Sequence, residues 1–392
     1  MAAPPLVFTE ADDDVWHEYD ALARRAYGHP VEDITRLGRH ADRRVVLRDG
    51  KVIAGGLGLL IPQWFGGRPV PSASLACGCV APEERGERIA ARLTAERLRP
   101  LRDQGAVLAT VWTSSTNYVR RMGWEAPTTV FSWAVPTDEL WRVFGESDIE
   151  VHHGGVPRLS PLWDTLAGQW NGTWQRPAWW SGWQQAQHPA AGTYHFGPSG
   201  GEPTGVLSVA GERPPAGGRQ LVVHDFWAAD HATASAMFAF LGRHNSRIPA
   251  VVFQRTGLPP GPLLQHTLRR TGAAAARSWH PWMLRVLDLR RAVELRGWPG
   301  GLDLVLPLAV TSDDGRGTEN YVLRVADGRG ELADGDSRAG LTLTRGQFAV
   351  WYAGGYRSAA AAALAGVRGD PAAITKLLLA TADREPWLAD YF

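Results

Sequence analysis

The sequence predicts an α/β protein made of one α/β unit, a looser second copy of that unit, and a smaller α+β domain at the C-terminal end. Three observations carry this expectation. Strand-like and helix-like segments in the first third follow the order hairpin, strand, turn, helix, strand; the middle third repeats that order; the last third sets strand-like runs ahead of helical ones.

The first unit opens with a helical stretch from Trp16 to Tyr27, stopped by Gly28 and Pro30. Val45-Val46-Leu47 and Val52-Ile53-Ala54 flank Arg48-Asp49-Gly50-Lys51, and Asp-Gly between two apolar runs signals a tight hairpin. A loop around Phe65-Gly66-Gly67 precedes a small-residue strand, Ser74 to Val80, and Pro82 then opens a polar turn. From Arg88 a helix follows, its apolar stripe set by Ile89, Ala90, Leu93 and Leu101 and its end by Gly105; the strand Val107 to Trp112 comes next. In the second unit Gly205 to Val209, Leu221 to Phe226 and Ile248 to Phe253 read as strands. Ala232 to Leu241 reads as a helix with Asp230 near its N-cap. Arg213 to Gly218 and Pro259-Pro260-Gly261-Pro262 read as surface turns. A boundary is expected near Arg296 to Gly301. Beyond it Leu304 to Val310, Tyr321 to Val325 and Leu341 to Leu343 are strand-like, and Ser358 to Val367 and Pro371 to Thr381 helical.

Composition narrows the function classes. The 392 residues carry 41 Lys+Arg against 40 Asp+Glu, a net charge of +1, so no single-sign field is available to recruit nucleic acid or an anionic membrane. With 44% hydrophobic and 21% charged residues, disorder is not expected as the dominant state. Cys77 and Cys79, the two cysteines, stand too close along a strand for a natural disulfide and are too few for a structural zinc site. No apolar run approaches the roughly eighteen residues of a membrane span, and the start lacks a signal-peptide pattern, so a cytoplasmic, soluble protein is expected. The 18 Trp suggest aromatic-lined pockets or interfaces.

The most informative stretch is Val80-Ala81-Pro82-Glu83-Glu84-Arg85-Gly86-Glu87-Arg88-Ile89-Ala90, where a strand passes through a Gly-containing turn into a helix N-terminus. Free N–H groups and the helix dipole there suit a pyrophosphate; an ordinary strand-to-helix connection is the equal alternative. The corresponding connection of the second unit, between Asp225 and Ala234, has no glycine, so that unit reads as a scaffold without a cofactor.

Over nearly its whole length the sequence resembles the Eis (enhanced intracellular survival) family of GNAT-superfamily N-acetyltransferases. The likeness rests on Val80-Ala81-Pro82 with Arg85-Gly86, on Arg121-Met122-Gly123-Trp124, on Trp282 to Asp288, on Tyr352-Ala353-Gly354-Gly355, and on the aromatic Phe392. It implies tandem GNAT-like domains (1–136 and 137–290, the second without a cofactor loop) and a sterol-carrier-protein-like α+β domain (291–392). It also implies acetyl-CoA as cosubstrate, held by Val80, Ala81, Pro82, Arg85, Gly86, Glu87, Arg88, Ile89, Ala90 and Ser114. The acceptor it implies is a primary amine of a small molecule, with aminoglycosides as the substrate class, and the assembly a homo-hexamer. In such enzymes a tyrosine protonates the departing thiolate and the C-terminal carboxylate, here that of Phe392, deprotonates the amine, as amine attack on a thioester requires.

Two positions depart from the pattern. Aligning the pyrophosphate motif on Arg85 and Ala90 puts Arg88 where glycine is expected, and the tyrosine position falls on Val119, with Tyr118 one residue early, about 100° away around a helix. A repurposed fold that performs CoA-independent chemistry or only binds a ligand is the alternative those departures leave open. His152-His153 lacks companion ligands at zinc spacing and the other histidines are scattered, so no metal is expected. Cys77 and Cys79 should share one strand face as packing residues. The run Trp163, Trp170, Trp174, Trp179, Trp180 and Trp183 fits either a ligand wall or domain-interface packing, and Glu10 to Asp14 a solvated helix start.

Overall fold

The computed structural model describes residues 4–154, 159–214, 217–260, 268–269, 272–312, 315–335 and 340–392. The Pro215-Ala216 part of the first expected surface turn and the Gly261-Pro262 end of the second lie outside these residues.

In the first unit β1 (Val7–Glu10) precedes α1 (Asp13–Tyr27) and α2 (Glu32–Gly38). The Asp12 side chain caps α1 by accepting from the Val15 N–H, Asp13 and Asp14 sit at the positive end of its dipole, and Gly28 ends it in the left-handed region at φ 78°. The Asp49-Gly50 turn, φ 50° and 74°, joins β2 (Asp42–Arg48) to β3 (Lys51–Leu60). The expected loop at Phe65-Gly66-Gly67 is the tip of a small hairpin, β4 (Gln63–Phe65) with β5 (Arg68–Val70). A Cβ on Gly66 would stand 1.8 Å from the Gly297 carbonyl oxygen, so only glycine fits there. Next come β6 (Ser72–Val80), α3 (Ile89–Asp103), β7 (Leu108–Trp112) and α4 (Thr116–Arg120).

The second unit comprises β8 (Phe131–Pro136), α5 (Thr137–Phe144), β9 (Glu150–His153), α6 (Leu159–Ala167), α7 (Trp180–Gln187), β10 (Gly192–Gly197), β11 (Gly205–Glu212), β12 (Gln220–Ala228), α8 (His231–Gly242), β13 (Ala250–Phe253), β14 (Ala275–Ser278) and β15 (Trp282–Val286). Asp230 caps α8 by accepting from Thr233 N–H at 2.8 Å, as its position suggested.

The two large sheets exchange strands. The first runs β1-β2-β3-β6-β7-β15 and the second β14-β8-β13-β12-β11-β10-β9. Thus β15, late in the chain, pairs antiparallel with β7 (Trp282 opposite Trp112), while β8, which follows the first unit directly, pairs with β13 and β14. β3 lies under helices on both faces: a Cβ on Gly55 would strike Tyr19 of α1, and one on Gly56 would strike Arg97 of α3. That explains an apolar run without the alternation of a half-exposed strand.

The last domain contains β16 (Leu304–Thr311), β17 (Thr318–Ala326), β18 (Arg329–Asp334), β19 (Leu341–Thr344) and β20 (Arg368–Gly369), ordered β18-β17-β16-β19-β20. Its helices Arg345–Tyr352, Ala359–Leu364 and Pro371–Leu379 follow the first four strands. The helix expected over Ser358 to Val367 is shorter at both ends, with Ser358 its N-cap and Gly366 turning the chain out at φ 85°. Among the described residues no helix is long and apolar enough to cross a membrane.

Candidate active site

β6 and β7 are parallel neighbours only from Ser72–Leu108 to Leu75–Val111, although β6 continues to Val80. The strands therefore part, and the Ala76–Val80 edge of β6 opens into a cleft. A bulge sits at this point, with Gly55 opposite Cys79, Leu57 opposite Ala76, and Cys77 in the left-handed region at φ 49°. Side chains from both faces tie its carbonyls. Arg97 of α3 donates to Leu57 O and Ala76 O; the Tyr19 hydroxyl lies between the carbonyls of Gly55 and Cys77 and accepts from Cys79 N–H at 3.2 Å; Tyr27 donates to Gly78 O at 2.9 Å. Burial holds the Tyr19 and Tyr27 hydroxyls protonated by raising their pKa values. Cys77 and Cys79 form no disulfide and pack toward α1, and burial raises the Cys79 pKa above the ordinary thiol range. Tyr19, Tyr27 and Arg97 are the bulge residues that sequence reasoning missed; the signal available for two of them was Gly55, which leaves room for Tyr19, and Gly56 with Gly78, which leave room for Arg97.

The turn after β6 begins with a single 3-10 turn, Pro82–Glu84, and passes through Gly86 at φ 106° to Arg88 at φ 57°. Arg88 thus holds the backbone conformation that glycine favours, at the N-cap of α3, where no side chain caps the helix. Glu84 and Glu87 both pair with Arg48. Arg85 and Arg88 are exposed, and neither side chain makes a hydrogen bond or ion pair among the described residues, the Arg88 carbonyl accepting from the N–H groups of Ala91 and Arg92. Val80 is half-buried at the strand end, Ala81 is buried and donates to Ile53 O, and Ile89 is buried, so these fix the turn while Pro82, Gly86 and Glu87 face solvent and Ala90 lies partly exposed in the first helical turn. Ser114 is exposed in the β7–α4 connection.

Val119 is buried in the cluster with Leu98, Leu101 and Trp124. Its neighbour Tyr118 is half-buried, and its hydroxyl is enclosed with the Thr94 side chain as a polar neighbour. Burial raises the pKa of that hydroxyl, so it is a protonated donor at neutral pH.

The C-terminal segment is fastened between the two sheets. Trp387 Nε1 donates to Thr256 O at 3.1 Å, Thr256 Oγ1 to Ala389 O at 2.7 Å, and Trp112 Nε1 to Asp390 O at 2.9 Å. Arg176 bridges Asp390 and Asp225, at 2.9 and 2.5 Å, under the rings of Trp163 and Trp227. Tyr391 lies against Trp112 with ring centres 5.6 Å apart, and Phe392 is buried, stacked on Trp174 at 4.6 Å. The tryptophan run packs at this seam: Trp174 and Trp180 are buried together, Trp163 meets Trp227, and Trp170 meets Trp387.

His188, Glu212 and His224 come together with ligand-type atoms within 4.8 Å of one another, a grouping no sequence spacing suggested. The two imidazoles are stacked at 3.7 Å and inclined by only 22°, so their lone pairs do not converge on one point. His152 and His153 lie apart from them on β9.

Residues 8–126 and 172–286 each match an acetyltransferase (GNAT) domain, and residues 289–389 a sterol carrier protein domain. The fold is that of the GNAT-superfamily acetyltransferases: two GNAT domains in tandem, followed by a small sterol-carrier-protein-like α+β domain. An uncharacterized N-acetyltransferase of Streptomyces avermitilis is 27% identical over 357 residues, 83% of this chain and 82% of its own length. A GCN5-related N-acetyltransferase structure from Anabaena variabilis is 24% identical with a TM-score of 0.86, covering 99% of this chain and 100% of that one. Eis1 from Mycobacterium abscessus is 17% identical with a TM-score of 0.76, covering 99% and 100%. The Eis likeness is thus one among several GNAT folds.

Proposed function

We propose that the protein is an acyl-CoA-dependent N-acetyltransferase acting on a primary amine of a small molecule. The observation that carries this reading is the turn at the mouth of the parted strands. Two cations, Arg85 and Arg88, stand there without acidic partners among the described residues, at the uncapped N-terminus of a 15-residue helix, while the neighbouring Glu84 and Glu87 are drawn off by Arg48. Such a turn suits a pyrophosphate. If Arg88 closed the groove of a repurposed fold, pairing with Glu84 or Glu87 would be expected; instead it keeps the glycine-like φ and leaves both acids to Arg48.

Val80, Ala81, Pro82, Arg85, Gly86, Glu87, Arg88, Ile89, Ala90 and Ser114 would hold acetyl-CoA, which supplies an activated acyl group. Backbone N–H groups on the open edge of β6, held by Arg97, Tyr19 and Tyr27, would polarise its carbonyl. Tyr118, kept protonated, is the proposed donor to the leaving sulfur, and the Phe392 carboxylate the proposed acceptor of the amine proton. The middle domain, with its glycine-free connection, is proposed to bind no cosubstrate. An aminoglycoside-like acceptor is the class implied by the Eis resemblance, as is a hexamer; cytoplasmic placement is proposed from the low cysteine content of the sequence. Calorimetric titration with acetyl-CoA tests the reading: one site per chain, weakened by Arg85→Ala with Arg88→Ala, is expected, and no binding would end it.

A further inference from the structure

Three consecutive carbonyls in the bulge of β6 each meet a side-chain hydroxyl or guanidinium. Arg97 of α3 donates to Ala76 O at 2.5 Å and to Leu57 O, its cross-strand partner on β3. The Tyr19 hydroxyl of α1 reaches Cys77 O, and the Tyr27 hydroxyl donates to Gly78 O at 2.9 Å. The register makes room for them: Gly55 faces Cys79 and Leu57 faces Ala76, which leaves Cys77 and Gly78 of β6 against Gly56 of β3.

Arg97 differs from the two tyrosines in carrying a charge. It is 5% exposed, a guanidinium stays cationic at neutral pH, and among the described residues it forms no ion pair with a carboxylate. The titratable groups around it are Tyr19 and Tyr27 from α1 and Cys77 and Cys79 from β6. Burial keeps both tyrosines and Cys79 protonated, so these three do not offset its charge. Its Nε is also buried without an acceptor among the described residues. Neutral donors suffice to cap a bulge, as Tyr19 and Tyr27 do, whereas an unpaired buried cation carries a heavy desolvation penalty. What the charge adds is polarisation. Ala76 O shares a peptide plane with the Cys77 N–H, so a charge-assisted bond to that oxygen draws electron density from the amide, and the low dielectric leaves the field little screened.

We propose that Arg97 is a positioning residue for acyl transfer, whose fixed charge acts through the bulge of β6 to polarise the carbonyl of an acyl thioester lying along the Ala76–Val80 edge. This rests on the acetyltransferase reading. As the amine nitrogen bonds to the carbonyl carbon, the C=O π pair moves onto the oxygen; it returns when the C–S bond breaks and that pair leaves with sulfur. The surplus amine proton goes to the Phe392 carboxylate and sulfur takes one from Tyr118, the roles proposed above. A positive charge behind the strand favours the oxygen most when it is anionic, so its effect falls on turnover more than on cosubstrate affinity.

Infrared spectroscopy of the full chain with acetyl-CoA isotopically labelled at the thioester carbonyl carbon reads this polarisation without an acceptor amine. In the wild type the labelled band should lie at lower wavenumber than in buffer. Arg97→Gln keeps a donor and loses the charge; it should return the band toward the buffer position while calorimetric affinity for acetyl-CoA stays within a few-fold. Arg97→Lys makes the charge titratable, because burial lowers the pKa of an ammonium group. Its band should sit near the wild-type position at about pH 6 and move toward the buffer position by about pH 9, with the wild-type band unmoved. Should Arg97→Gln fail to fold, this titration decides alone. A wild-type band no lower than in buffer, an Arg97→Gln band unmoved from wild type, or an Arg97→Lys band indifferent to pH would overturn the proposal. Absence of acetyl-CoA binding would remove the transferase reading and this inference with it, whereas binding with an unmoved band removes this inference alone.

Discussion

Arg97 and Gly78 fit together across the bulge of β6: a Cβ on Gly78 would lie 2.6 Å from Arg97 Nη1, and one on Gly56 the same distance from Arg97 Cζ. The two glycines leave a slot for a buried guanidinium whose bonds run to Leu57 O and Ala76 O, with no ion pair to a carboxylate among the described residues. Burial lowers the pKa of this arginine, and one of the carbonyls it serves, Ala76 O, belongs to the strand segment that lines the cleft. Gly78→Ala should therefore displace the guanidinium and lower stability by about 1–3 kcal/mol, an overpacking cost, with a larger proportional loss of acetyl transfer than of acetyl-CoA affinity. Denaturant unfolding and steady-state kinetics on one preparation check both parts.

Arg88→Gly should relieve a left-handed backbone and remove one unpaired charge. Stability should rise by up to about 1 kcal/mol. Acetyl-CoA affinity should stay within a few-fold at physiological salt, with a shallower salt dependence. A large loss of affinity would mean that the side chain makes an essential contact.

Val119→Tyr should not create a better proton donor. Position 119 faces Leu98, Leu101 and Trp124, so tyrosine there overpacks the cluster and should cost about 1–3 kcal/mol of stability. Tyr118→Phe should instead lower kcat by about tenfold or more while stability falls by no more than about 1 kcal/mol, since the polar contact given up is a single one to Thr94.

Arg176→Met should leave Asp225 and Asp390 buried and uncompensated. A loss of about 3–5 kcal/mol is expected, together with earlier proteolysis near residues 385–392 than elsewhere. Mass spectrometry of limited digests would show whether the tail is released first.

His224 gives the stability a defined pH dependence. Burial, then the charge of stacked His188, lowers its pKa from 6.5 to about 4. Because the folded form binds the proton less readily than the unfolded chain, its stabilising share is complete above about 6.5 and is lost as pH falls toward about 4. Glu212, Asp225 and Arg255 also face this pair. Urea unfolding at pH 7.5 and pH 5 should differ by on the order of 2 kcal/mol less in His224→Gln than in the wild type.

The chain's local chemistry already specified much of this. Asp12, Gly28, Asp49-Gly50, Asp230 and Gly105 mark boundaries through caps and positive-φ turns, which depend on a few neighbouring residues and are therefore readable in order along the sequence. The turn from Val80 to Ala90 was legible for the same reason, a glycine and cations ahead of a helix. What the sequence could not decide is who meets whom over long separations. β15 joins β7 across some 170 residues, Arg97 enters a slot made by Gly56 and Gly78, and Arg255 stacks on Tyr391. None of these pairs has a spacing or periodicity that distinguishes it, because the partners share no helix or strand. They are selected by the packing of whole layers, where a buried cation or an unpaired indole is tolerated only once the surrounding sheets have fixed its neighbours.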